Sequence, residues 1–115
     1  MTSSDESAGR ELLQTWKRTS RPIRVQFSSS GETFAMDGRG RITELDTEAL
    51  SIEGEGFGLL LSLTGARFKS VGSAERILEV GLDPSRYSET IELLLGDMER
   101  LVLAALPETN KGKPN

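Results

Sequence analysis

The apolar residues change their spacing at a single proline. Between Ser7 and Thr19, Leu12, Leu13 and Trp16 share one helical stripe, while Arg10, Gln14, Lys17 and Arg18 fall around the rest of the axis. Arg21-Pro22 ends that helix, because the proline ring pushes the residue before it out of the α region. Beyond the proline, Ile23, Val25 and Phe27 alternate with Arg24, Gln26 and Ser28, which is the two-residue period of a strand with one buried face. A chain that leaves helical spacing at residue 22 and alternates through residue 71 is committed to a sheet that carries one helix at its start. Trp16, alone of its kind, reads as the packing anchor of that helix.

The alternation has internal punctuation. Ser28-Ser29-Ser30-Gly31 supplies a turn, after which Phe34, Met36, Gly38, Gly40 and Ile42 keep one parity as a long second strand. At Thr43-Glu44 the parity slips to Leu45, which predicts a bulge or sharp bend, and the two glycines before it suit a strand approached closely by its neighbour. Leu50 and Ile52 form a third strand after the Asp46-Thr47-Glu48 turn. Leu59, Leu61 and Leu63 form a fourth after the glycine-rich stretch 53–58, with Phe68 and Val71 beyond Thr64-Gly65. Ile77 to Leu82 reads as one more strand.

Residues 87–106 fit two periods. Tyr87, Ile91, Leu94, Leu95, Met98, Leu101, Val102 and Ala105 make a helical stripe, yet Ile91, Leu93, Leu95 and Leu101, Leu103, Ala105 also alternate. Gly96-Asp97 lies between the halves, where a hairpin needs a turn and a helix loses about 1 kcal/mol for an interior glycine. The hairpin is the preferred reading. The domain plan is a disordered polar leader over 1–8, a single small barrel domain over 9–107 and a disordered tail over 108–115.

With 115 residues, the chain is one domain's worth of polypeptide. It has no histidine and no cysteine, which excludes Ser-His-Asp and Cys-His nucleophiles, imidazole bases, zinc sites of the usual ligand type and disulfides. No catalytic residue, cofactor or metal site is expected. The longest apolar run, residues 101–106, falls far short of the roughly 20 residues of a membrane span. The polar first ten residues, with Asp5 and Glu6, lack the pattern of a secretory signal, so a cytoplasmic location is expected.

The net charge of −4 is unevenly spread. Seven basic and three acidic residues lie between Arg10 and Arg41, against five and thirteen between Ile42 and Glu108. Such a split suits a homo-oligomer, a protein partner or an anionic ligand, RNA among them. Gly38-Arg39-Gly40-Arg41 lacks the helix that follows a phosphate-binding glycine loop. It offers Arg39 and Arg41 to a nucleic-acid backbone instead, with Arg24, Arg67 and Lys69 as companions if the strands pair suitably. The carboxylate pairs Asp46/Glu48 and Glu53/Glu55 sit by turns and read as solvated.

The order helix, proline, then strands with a bent second strand resembles the Sm-like fold, including bacterial Hfq, over about residues 12 to 71. Gly40, Ile42, Leu45 and Asp46 match the first Sm motif as it runs into its turn, and Ile23, Val25, Phe27 and Gly31 match the strand before it. The resemblance implies a mainly β fold: a small antiparallel SH3/Sm-like barrel with an N-terminal helix and a C-terminal hairpin, self-associating into rings. The alternative is an α+β fold with a C-terminal helix. Ala49-Leu50-Ser51 stands where the family places its base-holding asparagine, so the resemblance speaks for the barrel before RNA binding. PilZ domains, receptors for cyclic dinucleotides, are also similar in placing arginines before a barrel strand. Here Arg18, Arg21 and Arg24 are three apart rather than four. A non-catalytic module acting through protein contact or self-association is the leading expectation, with Sm-like RNA binding and a PilZ-like receptor as alternatives.

Overall fold

The computed structural model describes residues 4–29, 35–95 and 99–106. Helix α1 (Ser4–Arg18) begins ahead of the Ser7 expected, with Asp5 and Glu6 in its first turn and Lys17 and Arg18 in its last, each complementing the helix dipole. Its end is a double cap: the Ser20 N–H donates to the Lys17 carbonyl at 3.2 Å and the Arg21 N–H to the Trp16 carbonyl at 2.9 Å, with Ser20 left-handed at φ 53°. Pro22 then directs the chain into β1 (Ile23–Ser29).

The remaining elements are β2 (Ala35–Leu45), β3 (Ala49–Gly54), β4 (Phe57–Ser62), β5 (Arg67–Gly72), α2 (Glu75–Glu79), β6 (Glu89–Leu95) and β7 (Glu99–Ala105). The strands form one antiparallel sheet in the order β4-β3-β2-β1-β7-β6-β5. The fold is therefore mainly β, with an N-terminal helix and a C-terminal β6–β7 hairpin. The turn expected at Gly96-Asp97 lies outside the described residues, as do Gly31 and Phe34. The register shift between Ile42 and Glu44 is the bulge that the parity slip predicts.

Among the described residues no ladder joins β4 to β5, so the sheet is open rather than a closed barrel. It is nonetheless rolled. Its two edges are consecutive in sequence, and residues 63–66 span at most about 19 Å, whereas seven strands laid flat are about 29 Å across. Helix α1 lies against β5 and β2 on the inner side of the roll. Leu13 and Trp16 join inward residues of β1, β2, β3, β5, β6 and β7 in one core, against which Leu59 and Leu61 of β4 pack.

The strand expected over Ile77 to Leu82 is helix α2 and its cap. The alternation of Leu78, Val80 and Leu82 suggests a strand, but Ile77 and Val80, three apart, are the buried pair and Leu78 is 61% exposed. Gly81, at φ 83°, ends the helix: its N–H reaches the Leu78 carbonyl and the Leu82 N–H the Ile77 carbonyl, both at 3.0 Å. Ile77 and Tyr87 pack on Ala104 against the outer face of the sheet, so this segment covers the side that α1 leaves bare.

Candidate functional site

The outer face of β1 and β2 concentrates charge. Register places Arg24 beside Arg39 of β2 and Ala104 of β7, and Gln26 beside Asp37 and Val102. Two arginines directly opposite repel. Asp37, diagonal to Arg24, takes up one of them: Arg24 Nε donates to Oδ1 at 3.0 Å and Nη2 to Oδ2 at 2.6 Å, a two-point grip. The third nitrogen of Arg24, Nη1, donates to the Tyr87 hydroxyl at 2.7 Å. Tyr87 itself is only 7% exposed, held there by its packing on Ala104.

The grip moves both titrations. The hydrogen bond to Asp37 first, then that to Tyr87, pushes the Arg24 guanidinium still further above its ordinary value. Asp37 is held below the usual carboxylate range, chiefly by the Arg24 hydrogen bond. A depressed carboxyl contributes stability above its unfolded pKa and loses it as pH falls through the folded value. Asp37→Asn is therefore expected to cost about 0.5 kcal/mol at neutral pH, since the pair is solvent-screened, and nothing at pH values where Asp37 is protonated in both states. Urea midpoints measured from pH 7 down to pH 2 check this: the gap between the two proteins closes on the acid side.

Arg86 reaches the same place from the turn after α2. Asp83 Oδ1 accepts the Ser85 N–H at 2.9 Å and its hydroxyl at 2.8 Å, which holds the Asp83 carboxyl below its usual range and fixes the turn that delivers Arg86 and Tyr87. Arg24, Asp37, Gly38, Arg39, Arg86 and Tyr87 line an open pocket of about 370 Å³. A larger groove of about 770 Å³ adjoins it along β2, lined by Arg39, Arg41, Glu53 and Glu55 among others, so Arg39 borders both. There the Arg41 Nε donates to the Ser20 carbonyl at 3.0 Å.

Of the arginines and lysine expected from sequence, Arg39 and Arg41 lie two apart on β2, and Arg24 adjoins Arg39. Arg67 and Lys69 share the outer face but stand on β5, four strand spacings or about 19 Å from β2 along the sheet. Lys69 pairs in register with Glu92, whose carboxylate is bound by Arg100 Nε, so a neutral ion pair stands between the two basic sets. The three early arginines diverge: Arg18 ends α1, Arg21 donates to the Leu106 carbonyl at 3.0 Å and the Ser88 hydroxyl at 2.9 Å, and Arg24 holds Asp37. The pair Asp46/Glu48 forms a turn, in which Asp46 Oδ1 accepts the N–H groups of Glu48 and Ala49, each at 2.8 Å.

A second feature lies at the sheet margin. Strand β4, Phe-Gly-Leu-Leu-Leu-Ser, has β3 on one side and no described strand on the other. It carries no charge and no proline. Leu60 is 77% exposed, and Phe57, Leu59 and Leu61 are only half-buried although they face the core. The opposite margin differs: β5 bears Arg67 and Lys69, a left-handed Ser70 at φ 48° and a register shift between Lys69 and Gly72. Charges and irregularities of that kind keep an edge from pairing, and β4 has neither. No helix of the described residues is long and apolar enough to cross a membrane. No protein-family model, no curated protein and no solved structure matches the chain.

Proposed function

We propose that this chain is a non-catalytic sheet module that works by pairing with a second copy of itself through β4. The unguarded β4 edge carries the reading. Its outer backbone edge, with no described strand beside it, and exposed Leu60 form a template for another strand, while β5 is guarded. Pairing β4 with β5 of a neighbour would build an open-ended fibre and would meet the Ser70 irregularity. Antiparallel pairing of β4 with its own copy closes on a two-fold axis, continues the sheet across both subunits and covers the half-buried Phe57, Leu59 and Leu61. The non-catalytic part rests on the absence of histidine and cysteine and on carboxylates occupied structurally: Asp37 by Arg24, Asp46 by its turn and Glu92 by Arg100.

Gel filtration with light scattering is the test. The protein is expected to run as a dimer at tens of micromolar, and Leu60→Lys, which puts a charge on the edge, is expected to run as a monomer with an unchanged circular dichroism spectrum. A monomeric wild type, or a dimeric Leu60→Lys, overturns the reading.

Sm-like RNA binding is the second reading, favoured by the adjacency of Arg24 and Arg39. Two features count against it: the distance to Arg67 and Lys69, and the glutamates in the Arg41 groove. Retention of short uridine- or adenosine-rich RNA on a filter at low salt would support it.

A further inference from the structure

We propose that the pocket among Arg24, Arg39, Arg86 and Tyr87 binds the dianion of a phosphate monoester. Arg24 and Asp37 form a neutral pair, so the charge facing the pocket comes from the guanidiniums of Arg39 and Arg86. Among the described residues neither of these makes a hydrogen bond or ion pair through its side chain. Asp83 acts on Arg86 only at a distance, its own carboxylate being taken by Ser85.

The Arg24–Asp37 pair has a distinct role. By spending Nη1 on the Tyr87 oxygen, Arg24 leaves the Tyr87 hydroxyl proton without a described acceptor, although the ring is 7% exposed. A buried hydroxyl that accepts from a cation is polarised to donate. The pocket is thus lined by one buried hydroxyl and two exposed guanidiniums, donors suited to the separate oxygens of a tetrahedral anion.

Charge and size narrow the ligand. Two unpaired arginines match the charge of about −1.5 to −2 that a phosphate monoester carries near neutral pH. A space of about 370 Å³ takes one such group with a small substituent. A nucleic-acid backbone needs a continuous cationic track, and beyond β1 the outer face runs instead through Gln26 and Val102 to the neutral Glu92–Arg100 pair. The pocket lies on β1 and β2 with the turn after α2, and uses no residue of the β4 edge.

Calorimetric titration of the full chain with phenyl phosphate at low salt tests the proposal, with amide chemical-shift mapping to locate the site. One saturable site per chain is expected, with shifts at residues 24, 37–39 and 86–87. Arg39→Gln and Arg86→Gln are each expected to weaken binding about tenfold, as loss of a charged hydrogen bond does. Tyr87→Phe, which keeps the packing and removes only the hydroxyl, is expected to weaken it measurably, and phenyl sulfate, a monoanion, to bind less tightly. Arg67→Gln/Lys69→Gln is expected to change nothing. Three outcomes overturn the proposal: no saturation at millimolar phenyl phosphate, equal weakening by the Arg67/Lys69 variant, or uridine oligomers displacing the ligand through both basic sets. Leu60→Lys is expected to bind phenyl phosphate like the wild type, so the pocket and the β4 pairing stand or fall separately.

Discussion

Gly40→Ala is expected to lower stability by about 3 kcal/mol, the upper part of what overpacking costs. A Cβ at that position would stand 2.5 Å from the Glu53 carbonyl oxygen and 3.2 Å from the Gly54 Cα. These are backbone atoms, not the tip of a flexible side chain. Strand β3 cannot retreat, because it is bonded to β2 on one side and β4 on the other. Gly38 and Gly54 crowd the same place, where the Phe57 ring lies over β2. Urea unfolding checks the effect, with a lower midpoint and an unchanged slope. Gly58→Ala is the control, since nothing lies within 4 Å of its Cβ position. Equal stability of the two variants would mean that β2 and β3 do not approach as closely as described.

The second large effect is at Trp16, which is 1% exposed and central to the contact between α1 and the sheet. Trp16→Ala is expected to cost about 4 kcal/mol in lost burial and residual cavity. Trp16→Phe is expected to cost under about 1.5 kcal/mol, although it too removes a ring, because the indole Nε1 is buried with no described hydrogen-bond partner. Phenylalanine forfeits some apolar contact and also discards an unpaired donor, and the two changes oppose each other. Thermal and urea melts of both variants check the contrast. A phenylalanine variant as unstable as the alanine one would mean that the indole N–H is satisfied. The single tryptophan of the chain is also the natural fluorescence probe for α1 leaving the sheet.

What the sequence made legible was local. The switch of period at Pro22, the slip at Thr43 and the alternation within residues 91–95 and 101–105 each act through their own backbone, and α1, the β2 bulge and the β6–β7 pairing follow from them. The segment Ile77 to Leu82, expected as a strand, is α2 and its cap for an equally local reason: Gly81, left-handed at φ 83°, ends a helix. The order of strands was not legible. Nothing in the alternation of β1 says that it will lie between β2 and β7, and that placement separates Arg39 from Arg67 and Lys69. The arginine pocket was half visible. Arg24 and Arg39 lie on the two strands of one meander, but Arg86 arrives through a turn whose sequence sign, Asp83 two residues before Ser85, marks a turn without saying where it points.

The strand order also governs how the chain reaches this state. β1 to β4 form one run of neighbours and β5 to β7 another, each assembled from hairpin-like contacts between nearby residues. The seam between the runs is β1 against β7, which sets Ile23 beside Ala105. Closing it before the runs exist would carry the loop-entropy cost of nearly the whole described chain, whereas once both runs are formed only residues 63–66 join them. The two runs are therefore expected to form before this ladder, where Val25 and Leu103 meet, closes between them.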